Sequence, residues 1–400
     1  DFDINKARLV TTAPRICVRY ECVPMRFIKH VYRIHTYAQD GRLFEGKTPV
    51  SAFLNSSYDG SFIAGLMELR YIQSLPVERI INYFESHGFT LKKPTAHKLM
   101  EKASSLFENL YKCIRQTALS DPYKAADETY YKILVPEKNS KGKGFRKGYL
   151  WVVVGINTRM IYLLYDDGSR SEKVILNELG GCKGIIQSDG YSPYRKLESD
   201  AYPHITRIPC LQHIKRKFID CGEDDPDAKR IVEMINTLYQ NEHKHKIGVD
   251  GWTVEQNLVH RKKYAPDILG EIKDVLDDIE ERGDLLPKSE LKEAITYLRN
   301  EWNAVVDIFN YGDTYLDNNI VERMNRYISL SRKNSLFFGS HKGAERGAIL
   351  YTIALTCRMN KVNLFEYLTD IINRTAEWQP NTPLEKYRQL LPDRWEKAND

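Results

Sequence analysis

Three acidic residues lie in local contexts that suit a metal-dependent site. Asp127 opens a run of apparent strands, Asp189 ends the next strand, and Glu322 lies near the start of a helix that a basic stretch follows. Carboxylate oxygens are the ligands that Mg²⁺ prefers, and two such ions can activate a hydroxyl and stabilise the leaving oxygen at a phosphodiester. The three acids are therefore candidates both for catalytic residues and for ligands of two Mg²⁺ (or Mn²⁺) ions.

Each of these acids also has a purely structural explanation. Asp127 could begin a strand at a turn, and Asp189 with Gly190 forms a common turn pair. Asn319 and Glu322 are three residues apart, as in a capping box, in which Glu322 would bond back to the start of its helix. Their placement at successive elements of one fold is what favours a shared site.

The elements that must position these acids alternate between strands and helices. Apolar periodicity predicts, in chain order, the strands Tyr130–Pro136, Tyr149–Ile156 and Met160–Tyr165, a helix over Ser171–Leu179, the strands Gly184–Ser188 and His204–Pro209, and a basic helix over Leu211–Phe218. Three antiparallel strands followed by alternating helices and strands are typical of a ribonuclease-H-like α/β core. In such a core the first and fourth strands are neighbours, so their ends can present Asp127 and Asp189 to one point.

The same pattern divides the chain into six regions. They are an irregular N-terminal region (1–59) that could be the remnant of a zinc module, a helical region (60–120), the first part of the core (121–224), a helical insertion (225–312), the last part of the core with Glu322 (313–360), and a C-terminal helix and tail (361–400).

Helices dominate the regions outside the core. Over residues 76–116, a helix, a turn with Gly88 and a second helix are compatible with a DNA-reading helix-turn-helix, or with a plain helical hairpin. In the insertion, Pro266 and Pro287 are expected to punctuate the helices. The helix that carries the third acid is expected to span residues 317–329, with its first residues as the cap.

Charge is unevenly distributed along a chain whose formal net charge is only +5. Residues 267–293 include ten acids and four bases, whereas residues 323–346 include six bases and one acid. The second segment should attract a phosphate backbone, although a solvated helix face is the structural alternative for some of its residues. The residues predicted to bind DNA are Lys215, Arg216, Lys217, Arg323, Arg326, Arg332 and Lys333.

The composition is that of an ordinary globular protein with room for two or three domains. Of its 400 residues, 42% are hydrophobic and 28% are charged. No stretch approaches the roughly 18 consecutive apolar residues of a membrane span, and no secretory signal is visible. Seven cysteines, an odd number, argue against a disulfide framework. The cysteine usage favours a reducing cytoplasm.

Several sequence blocks follow one another in a specific order. The blocks are Asp127-Glu128-Thr129; Gly148-Tyr149-Leu150-Trp151; Gly184 to Tyr191; Cys210 to Phe218; Asp317-Asn318-Asn319 with Glu322-Arg323; and Arg332-Lys333-Asn334 with Leu336-Phe337. In these blocks the chain resembles the insertion-sequence transposases of the IS66 family. The resemblance runs from about residue 60 to residue 375.

This resemblance implies a DDE transposase with a ribonuclease-H-like core, in which Asp127, Asp189 and Glu322 are the metal-binding catalytic triad. It implies hydrolysis at transposon ends, followed by attack of the freed 3′-hydroxyl on target DNA. The implied partners are double-stranded DNA, further copies of the chain bound to that DNA, and accessory proteins of the same element. A catalytically silent DNA-binding relic and a ribonuclease-H-like nuclease without strand transfer are the alternatives.

The N-terminus departs from the family pattern, which usually includes a zinc module there. Cys17 and Cys22, followed by His30 and His35, have pair spacings that suit zinc, but only seven residues separate the two pairs. A structural zinc ion is therefore not expected. Cys210 precedes His213 by three residues, and we expect Cys210 to pack in the core rather than to bind a metal.

Overall fold

The computed structural model describes residues 5–7, 17–47, 49, 51–53, 56–137, 144–222, 224–379 and 381–396. Part of the irregular region predicted for residues 1–59 lies outside these ranges. The described chain is a mixed α/β structure, as predicted. Within these ranges, no helix combines the length and the apolar character that crossing a bilayer requires.

The strands form one central mixed sheet and a separate hairpin. Their bounds are β1 (Thr36–Gln39), β2 (Arg42–Glu45), β3 (Tyr123–Leu134), β4 (Phe145–Gly155), β5 (Met160–Leu164), β6 (Gly184–Ser188), β7 (Ile205–Pro209) and β8 (Phe337–Phe338). The central sheet has the order β5-β4-β3-β6-β7, and β8 pairs with the far end of β3. Strand β4 is antiparallel to both of its neighbours, β5 and β3, whereas β6 and β8 pair in parallel with β3, and β7 pairs in parallel with β6.

Helices precede, follow and interrupt this sheet. Their bounds are α1 (Gly60–Met67, continued by a π-helical turn over Glu68–Ile72), α2 (Val77–Ser86), α3 (Lys93–Leu106), α4 (Glu108–Ser120), α5 (Glu172–Leu179), α6 (Ser192–Arg195), α7 (Leu211–Ile219), α8 (Pro226–Glu242), α9 (Val254–Arg282), α10 (Glu290–Ile308), α11 (Asn319–Ser335), α12 (His341–Met359), α13 (Leu364–Thr375) and α14 (Leu384–Arg388).

Strand β3 begins seven residues earlier than predicted, and Asp127 lies inside it rather than at its start. Lys124 concealed this part of the strand, because a lysine is rarely buried. In the structure Lys124 is fully buried, and its ammonium group donates a hydrogen bond to the carbonyl of Lys183 at 2.9 Å. The interpretation of Asp127 as a strand-opening turn residue is therefore wrong. The prediction for β6 is confirmed residue for residue.

Three helix predictions differ from the structure. Pro266 lies inside α9 and is exposed there, so the helix continues past the expected break. The predicted long helix before residue 116 is divided at Phe107 into α3 and α4. Helix α11 continues six residues beyond the predicted end at Ser329 and ends at Ser335.

Two hydrophobic cores hold the elements together. The larger core surrounds the sheet and joins α1 to α13, so the N-terminal and C-terminal helices share one interior. The second core joins α7 and β7 to the inserted helices through residues such as Leu238, Ile272 and Leu298. The insertion therefore packs against the edge strand β7, which is next to β6, the strand that leads into Asp189.

Candidate active site

Asp127 and Asp189 come from neighbouring parallel strands. The last pair in the register of β3 and β6 is Ala125 with Gln187, and each aspartate lies two residues beyond it. Because side chains alternate along a strand with a period of two, both aspartates leave the sheet on the same side as that pair. The charge of Asp189 contributes to raising the pKa of Asp127, which indicates that the two carboxylates are close.

The Asp127 carboxylate is held from two sides. One oxygen accepts the backbone N–H of Glu128 at 2.8 Å, and the other accepts the Asn325 side-chain amide at 2.5 Å. Burial, followed by the charges of Glu128 and Asp189, raises the pKa of Asp127 to about 8. Without a cation, clustered buried carboxylates favour the protonated form, and this group has the electrostatic character of a cation site.

The loop after β6 fixes Asp189. Its carboxylate accepts the backbone N–H of Tyr191 at 3.1 Å. The backbone N–H of Gly190 donates to the hydroxyl of Tyr297, which belongs to α10, at 2.8 Å. A Cβ atom at Gly190 would lie 2.5 Å from that hydroxyl, so the close approach of Tyr297 requires glycine here. The turn residue identified in the sequence thus serves a contact with the insertion.

A buried ion-pair network supports the same loop. Arg207 of β7 pairs with Glu301 of α10, and both side chains are fully buried. Arg207 also pairs with Glu198 and donates to the carbonyl oxygen of Asp189 at 3.3 Å. The insertion is therefore connected to the position of Asp189 through two routes, Tyr297 and Arg207.

Glu322 is positioned by α11 but points toward other partners. Asn318 is the N-cap residue, and Glu322 does not form the expected capping box with Asn319, so that interpretation is wrong. Its Oε1 atom lies 3.7 Å from Nδ1 of His213. One turn later, Asn325 contacts Asp127, so α11 lies beside this aspartate on β3.

The carboxylates of Asp127, Asp189 and Glu322 do not converge on a single point in this conformation. Among the described residues, the set of three metal-liganding side chains whose ligand atoms lie within 4.8 Å of one another is Cys210, His213 and Glu322. The structure thus brings the two aspartates together, with Glu322 nearby on the adjoining helix.

A basic groove opens beside Asp189. Its lining includes Arg170, Tyr191, His213, Arg216 and Lys217. The Arg170 guanidinium lies 4.2 Å from the centre of the Tyr191 ring, and it pairs with Glu128. Cationic side chains with an aromatic face suit a polyanion that carries flat bases.

The family of the chain follows from a match over most of its length. The family model described as "Transposase IS66 family" matches residues 55–346, which include both strands of the aspartates and the whole of α11. The chain belongs to the IS66 transposase family. This confirms the resemblance found in the sequence blocks.

Related proteins of Sinorhizobium fredii (strain NBRC 101917 / NGR234) carry the name "Uncharacterized protein". The protein y4jD is 25% identical over 346 residues, which cover 83% of this chain and 65% of y4jD. The protein y4hP is 23% identical over 438 residues, covering 99% of this chain and 76% of y4hP. The protein y4qI is 26% identical over 384 residues, covering 92% of this chain and 69% of y4qI. The chain thus spans about two thirds to three quarters of these relatives.

In this IS66-family chain, the basic residues predicted to bind DNA differ in their exposure and in their side-chain contacts. Lys215 is half-buried on α7, whereas Arg216, Lys217, Arg323, Arg326 and Lys333 are exposed. Arg332 is half-buried, and its guanidinium lies 4.0 Å from the centre of the Tyr130 ring and donates to the Tyr130 carbonyl. Arg332 thus already holds α11 against β3.

Asn318 precedes Glu322 by four residues and Asn325 follows it by three, so helical spacing puts both on the face of Glu322, but it predicts no role for them. Asn318 donates to the Ala126 carbonyl at 3.0 Å, and Asn325 donates to Asp127. Tyr297 and Arg170 were missed altogether, because nothing near them in the sequence indicates a contact with Asp189 or Glu128.

Proposed function

We propose that this IS66-family chain is a DDE transposase that cuts DNA at transposon ends and joins the freed ends to target DNA. The observation that supports the proposal is the parallel pairing of β3 with β6, which ends two residues before Asp127 and Asp189, together with the contact of Asn325, on the helix of Glu322, with Asp127. The strand order β5-β4-β3-β6-β7, antiparallel for the first three strands and parallel afterwards, supports a ribonuclease-H-like core.

The residues at this place fit Mg²⁺. The donor set of Asp127, Asp189 and Glu322 consists of carboxylate oxygens, and the pKa of Asp127 is raised by burial first and then by the charges of Glu128 and Asp189. The Oε1 atom of Glu322 is buried and has no hydrogen-bond partner among the described residues. When bound, two Mg²⁺ ions would supply activation of the attacking hydroxyl and stabilisation of the leaving oxygen.

The chain's own residues would orient the carboxylates and the DNA. Asn325 directs one oxygen of Asp127, and Tyr297 holds the loop of Asp189. In this proposal Arg216 and Lys217 contact the phosphate backbone along the groove. Both residues line the same groove as Asp189, which is part of the proposed cleavage site.

The N-terminal helices are proposed to read DNA. Helices α2 and α3 are separated by a turn in which Gly88 has a φ of +81°. The start of α3 exposes Lys92, Lys93 and Lys98 on a surface that suits phosphate contacts. A helical hairpin without contact to DNA remains the alternative.

The proposed reaction is tested with a duplex of the element's end, Mg²⁺ and a target plasmid. Joined products support the transposase. Binding without cleavage supports a silent relic, and cleavage without joining supports a nuclease, so each outcome selects one function.

Removing two groove cations should weaken DNA binding and its dependence on salt. A plot of the logarithm of the DNA-binding constant against the logarithm of salt concentration has a negative slope. In Arg216→Ala/Lys217→Ala, this slope should become less negative by about 0.9 for each phosphate that is no longer neutralised. Fluorescence anisotropy at several salt concentrations measures this slope. Lys273→Ala/Lys288→Ala, in the acidic insertion, is the matched control and should leave it unchanged. An unchanged slope in the groove variant would show that Arg216 and Lys217 do not contact the DNA phosphates.

Mg²⁺ binding should depend on pH through Asp127. Because the pKa of Asp127 is raised to about 8, the carboxyl is protonated below that pH and a cation must displace the proton. The apparent affinity for Mg²⁺ should therefore rise with pH, by up to about tenfold per unit below pH 8, and level off above it. Calorimetric titration at several pH values measures this, and Asp127→Asn should flatten the profile. A flat profile in the unaltered protein would contradict the prediction.

A further inference from the structure

Cys210 and His213, which the proposed reaction does not use, form a cluster with Glu322, which it does. Their sulfur, imidazole and carboxylate ligand atoms all lie within 4.8 Å of one another. Cys210 is the N-cap residue of α7, His213 lies in the first turn of that helix, and Glu322 comes from α11, more than a hundred residues later. The cluster therefore exists only in the folded chain.

Two polar atoms in this cluster lack partners. The Oε1 atom of Glu322 and the Nδ1 atom of His213 are both buried, and neither makes a hydrogen bond within the described part of the chain. They face each other at 3.7 Å, which is too long for a hydrogen bond. Buried polar groups are normally satisfied, and a cation bound by both atoms would satisfy them together.

The backbone around the cluster is held in place. The N–H of Leu211 donates to the carbonyl of Leu316 at 2.9 Å, and the N–H of Asn318 donates to the sulfur of Cys210 at 3.2 Å. These two bonds join the start of α7 to the segment that leads into α11. The first of these contacts uses backbone atoms alone, the second uses the Cys210 sulfur, and together they preorganise the residues that bear the ligands.

The chemistry of the donors selects the ion. Mg²⁺ and Ca²⁺ take oxygen ligands, whereas a thiolate and an imidazole favour Zn²⁺. Zinc bound by sulfur at about 2.3 Å and by nitrogen or oxygen at about 2.0–2.2 Å brings its ligands within roughly 4 Å of one another. A small contraction of the cluster would satisfy this geometry, and three protein ligands would leave a fourth position open.

We propose that Cys210, His213 and Glu322 form a Zn²⁺ site. This site is distinct from the Mg²⁺ centre, and Glu322 is the ligand that the two sites have in common. Zinc at this site holds the Glu322 carboxylate on the side of α7, away from Asp127 and Asp189. The ion would thereby keep the DNA-cutting centre incomplete. This last step rests on the proposed function, whereas the binding of zinc does not.

Cobalt(II) is the probe for the site, because a thiolate bound to Co²⁺ gives a charge-transfer band in the near ultraviolet. The titration uses the full chain with Cys17→Ser and Cys22→Ser, since these two exposed thiols could also bind the ion. We expect one equivalent of Co²⁺ to produce the band and Zn²⁺ to abolish it. Cys210→Ser should eliminate the band, and His213→Gln should weaken Co²⁺ binding by at least about tenfold.

Asp189→Asn is the matched control, since it alters the Mg²⁺ centre and not the cluster, and it should retain the band. Absence of the band in the parent, or its persistence in both Cys210→Ser and His213→Gln, would overturn the site. In cleavage assays at constant Mg²⁺, added Zn²⁺ should inhibit the parent and leave Cys210→Ser insensitive. A chain that binds Co²⁺ as expected but never cleaves DNA would refute the proposed function and retain the zinc site.

Discussion

Asp189→Asn should abolish cleavage of transposon-end DNA, with a loss of roughly 10³-fold or more, the order seen when one member of a concerted catalytic set is removed. The substitution keeps the size of the side chain and its acceptor for the Tyr191 N–H, but it removes the carboxylate charge that acts on Asp127. Single-turnover cleavage measures the loss, and anisotropy with the same duplex should give nearly unchanged binding.

Asp220→Asn is the control for this experiment, since Asp220 lines the same groove and is exposed. It removes an equal charge without touching the strand edge, and cleavage should persist. Equal loss of cleavage and of binding in Asp189→Asn would indicate that Asp189 supports the fold or the DNA contact rather than the reaction.

Arg207→Met should destabilise the chain by about 3–5 kcal/mol, because it leaves the buried Glu301 with only the more distant Arg195, at 3.8 Å, as a cationic neighbour. Glu301 is fully buried beside Arg207, and burial already raises the pKa of Glu301. Denaturant unfolding followed by circular dichroism measures the change. Arg207→Met/Glu301→Leu should recover much of the stability, since replacing both charges removes the unpaired one.

The control for Arg207→Met is Arg282→Met, which breaks an exposed pair with Asp227 and should leave stability nearly unchanged. The Arg207 variant should also reduce cleavage, because its guanidinium supports the carbonyl of Asp189. A midpoint of unfolding equal to that of the parent would show that the network contributes little.

The sequence predicted the elements whose pattern is local. Strand β6 and helix α7 were found within one residue of their bounds, because a short apolar run and a helical period are visible in the chain itself. Predictions failed where a tertiary contact overrides the local pattern. Lys124 is buried because two backbone carbonyls satisfy its ammonium group, and no neighbouring residue indicates them.

The candidate site was predictable as a set of residues but not as a geometry. The acids could be chosen from their blocks, and Asn325 could be placed on the face of Glu322 from helical spacing. The approach of Glu322 to Cys210 and His213 joins segments more than a hundred residues apart, and Tyr297 reaches Gly190 from the insertion. Such contacts depend on how the inserted helices pack against the sheet. The spacing of residues along the sequence does not determine this packing.

The pairing of β8 with β3 joins Phe337 to Lys132 across more than two hundred residues, and Glu322 arrives with the same late segment. A ribosome that adds about 5–20 residues per second needs on the order of 10 s to pass from Asp189 to Glu322. A nascent chain therefore contains two adjacent aspartates well before the third acid has been synthesised. Translation itself sets the earliest moment at which the three acids can stand together.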